Sequence, residues 1–458
     1  MKLKSFYLQS SILIGSFSLF VCADTPEWIT EKIKKEEIEF VDFMFTDMVA
    51  DLKTVTIPAS QVPAALKNGL SFDGSSIPGC TQIHESDMLL WPDLNTFTRT
   101  TDGNARVICD VYASSGVPYE ADARHILKTV MQEAQALGYT FLVGPELEFF
   151  LFDMQKSNSL IPCDKARYFQ AEGLLARDAQ NKSLLGALLA QGVNVEKLHH
   201  EVAPGQHEIS IHYSNALDIA DQIIIAKHTI KTFAQAHGLR ATFMPKPVIG
   251  QNGSGMHVHF SLLDAKNKKN AFYAKDNTLF LSGIAYNFIA GVLHYAPDLS
   301  ALLNASINSY KRLVPGHEAP IYRCWATKNR SAMIRIPQFD CEQAHAARAE
   351  IRSPDALGNP YLIFAGLLKA GLEGIKNNIE LPRATEINLY HLSPADLIKR
   401  GVTTLPTSLE ESIGIFQKSH FIQKLLTPYT IAEYLSLKKE ELERYKKQIT
   451  QWEIEYYL

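Results

Sequence analysis

The stretch Gly144-Pro145-Glu146-Leu147-Glu148-Phe149-Phe150 limits the fold more than any other segment of this 458-residue chain. Read as a strand, it sends Glu146 and Glu148 to one face and Leu147 and Phe149 to the other. Neighbouring carboxylates repel unless they are solvated, share a proton or meet a cation, and the run Phe149-Phe150-Leu151-Phe152 argues against full solvation. On its own the strand also suits a half-solvated antiparallel sheet. Three other stretches repeat the pattern. In Glu208-Ile209-Ser210-Ile211-His212 the isoleucines share a side, and Pro204-Gly205 turns the chain back to Glu201. Met256-His257-Val258-His259-Phe260-Ser261 places both histidines and the serine together, and Arg348-Ala349-Glu350-Ile351-Arg352 sets a glutamate between two arginines. Four such strands predict a sheet curved around a polar cavity.

Glu146, Glu148, Glu201, Glu208 and Glu350 with His257 form a mostly oxygen ligand set, which suits Mg²⁺ or Mn²⁺ better than zinc. Arg312, Arg330, Arg335, Arg348 and Arg352 crowd the same part of the chain, and a guanidinium fork captures phosphate or carboxylate. Structural ion pairs with the glutamates are the competing explanation for any one of them. Together with a hard-metal set they point to a polyphosphate and to metal-assisted phosphoryl transfer. There is no GxxxxGK[ST] loop, kinase signature or GxGxxG, so the nucleotide must be held by the sheet.

A net charge of -4 without a basic stripe gives no nucleic-acid footprint. Six scattered cysteines without a CxxC pair favour reduced thiols. Residues 1–23 are laid out like a secretory signal, with Lys2 and Lys4 before the apolar run Ser11 to Val21, too short and interrupted for a membrane span. They are set apart from a small α+β unit over 24–118 and a catalytic unit over 119–458. Helices are predicted from Pro26 to about Glu37 and over Gln61–Lys67, Asp122–Leu137, Leu184–Gln191, Asp218–His237, Tyr361–Asn377, Leu409–Gln417 and Lys438–Lys447, the last as a solvated charge run. Predicted strands cover Glu39–Phe45, Thr54–Pro58, Ala105–Tyr112, Glu208–Tyr213, Arg240–Pro245 and Met256–Leu262 besides that of Glu146. The order is not a regular βαβ alternation, so the fold is α+β, with a largely antiparallel sheet backed by helices.

FDGSSI at Phe72 to Ile77, GPELEFFLF, HHEVAPGQHE at His199 to Glu208, PKPVIGQNGSGMHVHFS at Pro245 to Ser261 and NSYKRLVPGHEAP at Asn308 to Pro320 resemble type I glutamine synthetases of bacteria and archaea. The resemblance runs from about Trp28 to the C-terminus. It implies a β-grasp-like N-terminal domain, a catalytic domain with a curved antiparallel sheet, a cytoplasmic location and a dodecamer of two hexameric rings with composite sites. The implied reaction is phosphorylation of the L-glutamate side chain by ATP, then displacement of phosphate by ammonia. At least two Mg²⁺ or Mn²⁺ ions per site are implied, one on Glu148, Glu201 and Glu208, the other on Glu146, His257 and Glu350. Asn252 and Gly253 match the glutamate clamp, with Arg312 and Arg352 on its carboxylates and Arg330 near the transferred phosphoryl. Arg335 and Arg348 match ATP-phosphate ligands, and Glu196, Tyr213, His259 and Ser261 match nucleotide contacts. Glu318 resembles a residue that closes over the intermediate, and Asp73, Ser76, Tyr168 and Glu201 match an ammonium pocket.

The signal-like extension departs from the family pattern. So does Gln82, which stands where one branch carries an arginine tied to feedback control. Tyr390 resembles the adenylylated tyrosine of another branch. The competing functions are γ-glutamyl ligation of a polyamine or other amine, and a non-catalytic paralogue.

Overall fold

Sequence periodicity becomes two sheets in a computed structural model, which describes residues 25–77, 79–80, 86–154, 160–171, 178–277, 279–315 and 319–458. The Thr25 hydroxyl accepts from Trp28 N, opening the helix Pro26–Lys35, which buries Ile29 and Ile33. It lies by a five-stranded sheet of β1 (Phe40–Thr46), β2 (Leu52–Pro58), β3 (Leu70–Asp73), β4 (Asp87–Arg99) and β5 (Ala105–Ala113), ordered β2-β1-β5-β4-β3. β1 and β5 run parallel, while the other neighbours are antiparallel. β4 is absent from the sequence reading because Pro92 sits inside its apolar run and its register with β5 slips between Asp93 and Thr98.

The larger sheet comprises β6 (Tyr139–Asp153), β7 (Val195–His200), β8 (Gln206–Ile211), β9 (Ser214–Asn215), β10 (Leu239–Thr242), β11 (Met256–Asp264), β12 (Tyr322–Ala326), β13 (Ala332–Arg335), β14 (Ala349–Ile351) and β15 (Thr403–Thr404). Its path is β15-β12-β13-β14-β11-β6-β8-β7, with β9 and β10 also on β6. All described pairs are antiparallel except β12 with β13, so the sheet is mixed rather than purely antiparallel.

Alternation on β6 sends Leu147 and Phe149 into the main core with Ile209, Val258 and Phe260, leaving Glu146 and Glu148 on the opposite face. Behind the apolar face lie the helices Ala123–Ala136, Ala216–Ala236, Gly283–His294 and Pro360–Lys376. The last two meet backbone to backbone: a Cβ on Gly291 would stand 2.1 Å from Ala370 O, and one on Gly374 2.2 Å from Asn287 O. Only glycine permits that approach. The charged helix Pro428–Lys446, followed by a short last helix Gln451–Tyr457, starts ten residues before the predicted charge run, and Lys438 is buried on it. Its Nζ donates to Glu441, which also accepts from Ile307 N, so this face is partly an anchor. Among the described residues no helix is long and apolar enough to cross a membrane.

Arg124 fastens the smaller sheet to the helices. Its guanidinium reaches Asp93 on β4 at 2.7 Å, Asp110 on β5 at 2.6 Å and Asp221 on the helix Ala216–Ala236 at 2.8 Å. Tyr361 OH donates to Asp221 at 2.6 Å. Burial alone would raise Asp93, but Arg124 outweighs it and holds the carboxyl below its ordinary 3.8. Such a depressed group contributes stability above its unfolded value and loses it as pH falls through the folded one. Arg124→Leu, which strands three carboxylates, is expected to lower unfolding stability by about 3–5 kcal/mol at neutral pH. Denaturant titrations of both proteins from neutral to acid check this, and the gap is expected to narrow below pH 3.8.

Candidate active site

The site begins as a row of cross-strand partners. On β6, Glu148 pairs with Glu208 of β8, and Glu146 pairs with Ser210 of β8 and His257 of β11. Farther along, His259 pairs with Glu350 of β14, which pairs with Arg335 of β13. Partners directly opposite share a face, so two like charges meet at Glu148 and Glu208. Glu201 joins them from the end of β7, where its N–H donates to Gln206 O at 2.7 Å and closes the turn at Gly205.

The charge balance differs along the row. Burial pushes Glu201 up to about 7, with Glu148 and Glu208 adding to the effect. Glu148 is raised by burial and by Glu208, although His257, Arg312 and the 3.0 Å hydrogen bond from Gly255 N oppose the rise. At the other end, burial would raise Glu350, but Arg352 first and then His259 and His257 hold it at about 2. Its carboxylate lies 2.5 Å from Arg352 and 2.8 Å from Arg335. Hydrogen bonds at 3.2 Å from His257 and 3.3 Å from His259 likewise outweigh burial and hold Glu146 down.

Three clusters within this row bring candidate ligand atoms within 4.8 Å of one another: Glu146 with Glu208 and His257, Glu146 with His259 and Glu350, and His199 with Glu201 and Glu208. Oxygen predominates in them, and the raised carboxylates at Glu148 and Glu201 mark a deficit of positive charge. The residues therefore fit hard divalent cations.

Two cavities open on this face and share Glu146 and Lys197. One, about 340 Å³, is lined by Glu196, Tyr213, His259, Ser261 and Arg348. The other, about 310 Å³, contains the remaining carboxylates and His257, with Tyr168, Asn252, Gly253 and the other four arginines. Arg348 does not pair with Glu350, since its Nε donates to His259 Nδ1 at 3.3 Å. Arg312 is fixed by donating to the carbonyls of Arg352 and Ser353, at 3.0 and 2.8 Å. A Cβ on Gly255 would lie 2.5 Å from Arg312 Nη2, so this loop needs glycine to admit the guanidinium. Arg352 Nε is buried without a partner in the chain.

Among the described residues that line these cavities, Asp73 and Ser76 are absent. Asp73 instead accepts from Ser75 N at 2.9 Å and Ser75 Oγ at 2.7 Å. Glu318 and Gln82 lie outside the described residues. Tyr390 OH donates to Ala319 O at 2.9 Å. Lys197 and His199 were not read from the sequence. Lys197 Nζ stands 3.7 Å from Glu146, and His199 Nε2 stands 3.1 Å from Glu208. The available signal was alternation: residues 197 and 199 share the face of Glu201 on an extended strand.

An α+β scaffold that gathers carboxylates suited to hard cations beside an arginine-lined cavity has the layout of enzymes that work on anions with divalent cations. Comparison with known proteins narrows the class. The family model "Glutamine synthetase, beta-Grasp domain" matches residues 37–114, and "Glutamine synthetase, catalytic domain" matches 120–457. Glutamine synthetase from Clostridium saccharobutylicum is 42% identical over 441 residues, covering 95% of this chain and 98% of the relative. That from Methanosarcina mazei is 41% identical over the same shares. Among solved structures, Plasmodium falciparum glutamine synthetase superposes with a TM-score of 0.84 at 28% identity, covering 95% of this chain and 99% of the other. A ligand-free structure titled GmaS gives the same TM-score at 29% identity, covering 93% and 98%. The chain belongs to the glutamine synthetase family.

Proposed function

We propose that the two cavities are the two halves of one active site, with ATP in the first and L-glutamate in the second. The reaction is ATP-dependent ligation of ammonia to the glutamate side chain, giving L-glutamine, ADP and phosphate, as the near full-length similarity to glutamine synthetases supports. The observation that carries the residue assignment is the carboxylate row of the second cavity, whose Glu146 also lines the first. Divalent cations, Mg²⁺ or Mn²⁺, supply charge neutralisation at the transferring phosphoryl group when bound. Glu148, Glu201 and Glu208 would hold one, and Glu146, His257 and Glu350 the other.

Glu196, Tyr213, His259 and Ser261 hold the nucleotide, while Arg335 and Arg348 orient its phosphates. Arg312 and Arg352 orient the carboxylates of glutamate beside Asn252 and Gly253, and Arg330 at the rim neutralises charge on the phosphoryl oxygens. This presses the γ-carboxylate oxygen toward the terminal phosphorus of ATP, which forms γ-glutamyl phosphate and releases ADP. Ammonium enters by the pocket of Tyr168 and Glu201, to which Asp73 and Ser76 contribute. A carboxylate there selects the cation and then accepts a proton to free the nucleophile. Ammonia attacks the acyl carbon and phosphate leaves, with Glu318 shielding the intermediate from water.

We further propose a ring assembly, a dodecamer of two hexamers, in which the Asp73 turn completes a neighbouring subunit's site, and a cytoplasmic location. The exposed Asp73 turn, which lines neither cavity of its own chain, supports completion of the site by a neighbour. A non-catalytic paralogue is not favoured, since every expected metal ligand is present. Polyamine ligation is not favoured, since the expected ammonium-pocket residues Asp73, Ser76, Tyr168 and Glu201 are all retained.

Purified protein with glutamate, ATP and Mg²⁺ is expected to release phosphate with ammonia and to form glutamine, with putrescine giving no comparable turnover. Preference for putrescine in the coupled assay would overturn the ammonia assignment. Asp73→Ala and Glu350→Ala chains, each inactive alone, are expected to recover measurable activity when co-assembled and purified through different tags. Activity of verified mixed oligomers no greater than the sum of the singles would place the whole site within one chain.

A further inference from the structure

The opposite face of β8 carries a second cluster that the reaction does not use. Cys163, Asp164 and His207 bring one ligand atom each within 4.8 Å of one another. His207 is fully buried, and neither ring nitrogen has a hydrogen-bond partner in the chain. Leaving a buried polar group without a hydrogen-bond partner is costly, so an imidazole in this state calls for one. Cys163 Sγ stands 3.8 Å from Asp164 Oδ2, and Asp164 Oδ1 is oriented by His200 Nε2 at 2.9 Å and Gly205 N at 3.1 Å. A carboxylate beside a thiol and an imidazole, itself held by a second histidine, is the layout of a metal ligand with its supporting shell.

We propose that Cys163 Sγ, the Asp164 carboxylate and the His207 imidazole form a binding site for a thiophilic divalent cation of the zinc class, separate from the oxygen-lined cavity. Sulfur and nitrogen donors select such an ion over Mg²⁺, so the two sites sort cations by donor type. Bond lengths of about 2.0–2.3 Å require the three atoms to close in by side-chain rotation, leaving a fourth position for water. Cys163 is half-buried, which gives the ion a path inward. Burial and the adjoining Asp164 push its thiol up, so ligation releases the thiol proton to solvent as the sulfur binds as thiolate. The site sits behind the turn at Gly205, where a Cβ would meet Leu151 O at 2.8 Å. This turn joins the strands carrying Glu201 and Glu208, so an ion here pins the spacing of those two carboxylates from behind.

Cobalt(II) is the probe, titrated into the full chain under reducing conditions and saturating Mg²⁺. The three clusters of the active site contain no sulfur, so a thiolate-to-cobalt charge-transfer absorption reports a cysteine site alone. The expected result is one such site per chain, displaced by Zn²⁺, lost in Cys163→Ser and kept in Cys341→Ser. His207→Asn, which removes a direct nitrogen donor, is expected to weaken cobalt binding by at least the roughly 10–100-fold that loss of an outer-shell partner costs. No charge-transfer band in the wild-type chain overturns the proposal whatever the variants do. So does a band that survives Cys163→Ser, one that disappears in Cys341→Ser, or unchanged affinity in His207→Asn.

Discussion

The repulsion between Glu148 and Glu208, set directly opposite each other on neighbouring strands with Glu201 beside them, is the interaction on which the rest of the site depends. A buried carboxylate cluster persists only if it takes up protons or a cation. The chain supplies positive charge unevenly. At Glu350, Arg352 with His259 and His257 settles the balance and keeps the carboxylate ionised. At Glu201 and Glu148 the balance is left open, and both are pushed toward protonation. Those raised carboxylates give the cavity its demand for a divalent ion.

Holding such a cluster together takes a rigid support, which the other face of the sheet provides. Leu147, Phe149, Ile209 and Val258 are fully buried there. The row cannot relax by shifting register, since a one-residue slip would exchange the carboxylates with the core residues. Helices pressed together at Gly291 and Gly374 back this layer, and Arg124 ties the smaller sheet to it. The same alternation turns Glu208 into the cavity and His207 away from it, so one strand serves two kinds of polar chemistry on its two faces.

Alternation made much of this legible in the sequence. The apolar neighbours of Glu146, Glu148, His257 and Glu350 alternate with them regularly, and they fix which face each polar group takes. The α+β class and the curved polar sheet follow from the same pattern. β7 was harder to read: Glu196, Lys197, His199 and His200 have little strand propensity, and pairing with β8 overrides it. The helix Gly283–His294 is apolar almost all round because it is buried, so it shows no amphipathic stripe. Pairing of Arg335 with Glu350 is set by the register of β13 on β14, which joins segments fifteen residues apart. Glu196 and Tyr213, which line the first cavity, were reached through family resemblance, since nothing in their spacing alone distinguishes them from surface residues.

Anomalous diffraction from crystals grown with Mn²⁺ tests the central claim most directly, because it locates the cation without assuming its ligands. Two manganese peaks are expected in each site, one bounded by Glu148, Glu201 and Glu208 and the other by Glu146, His257 and Glu350. A cavity free of manganese at saturating concentration, with the carboxylates still facing one another as in this structure, would contradict it.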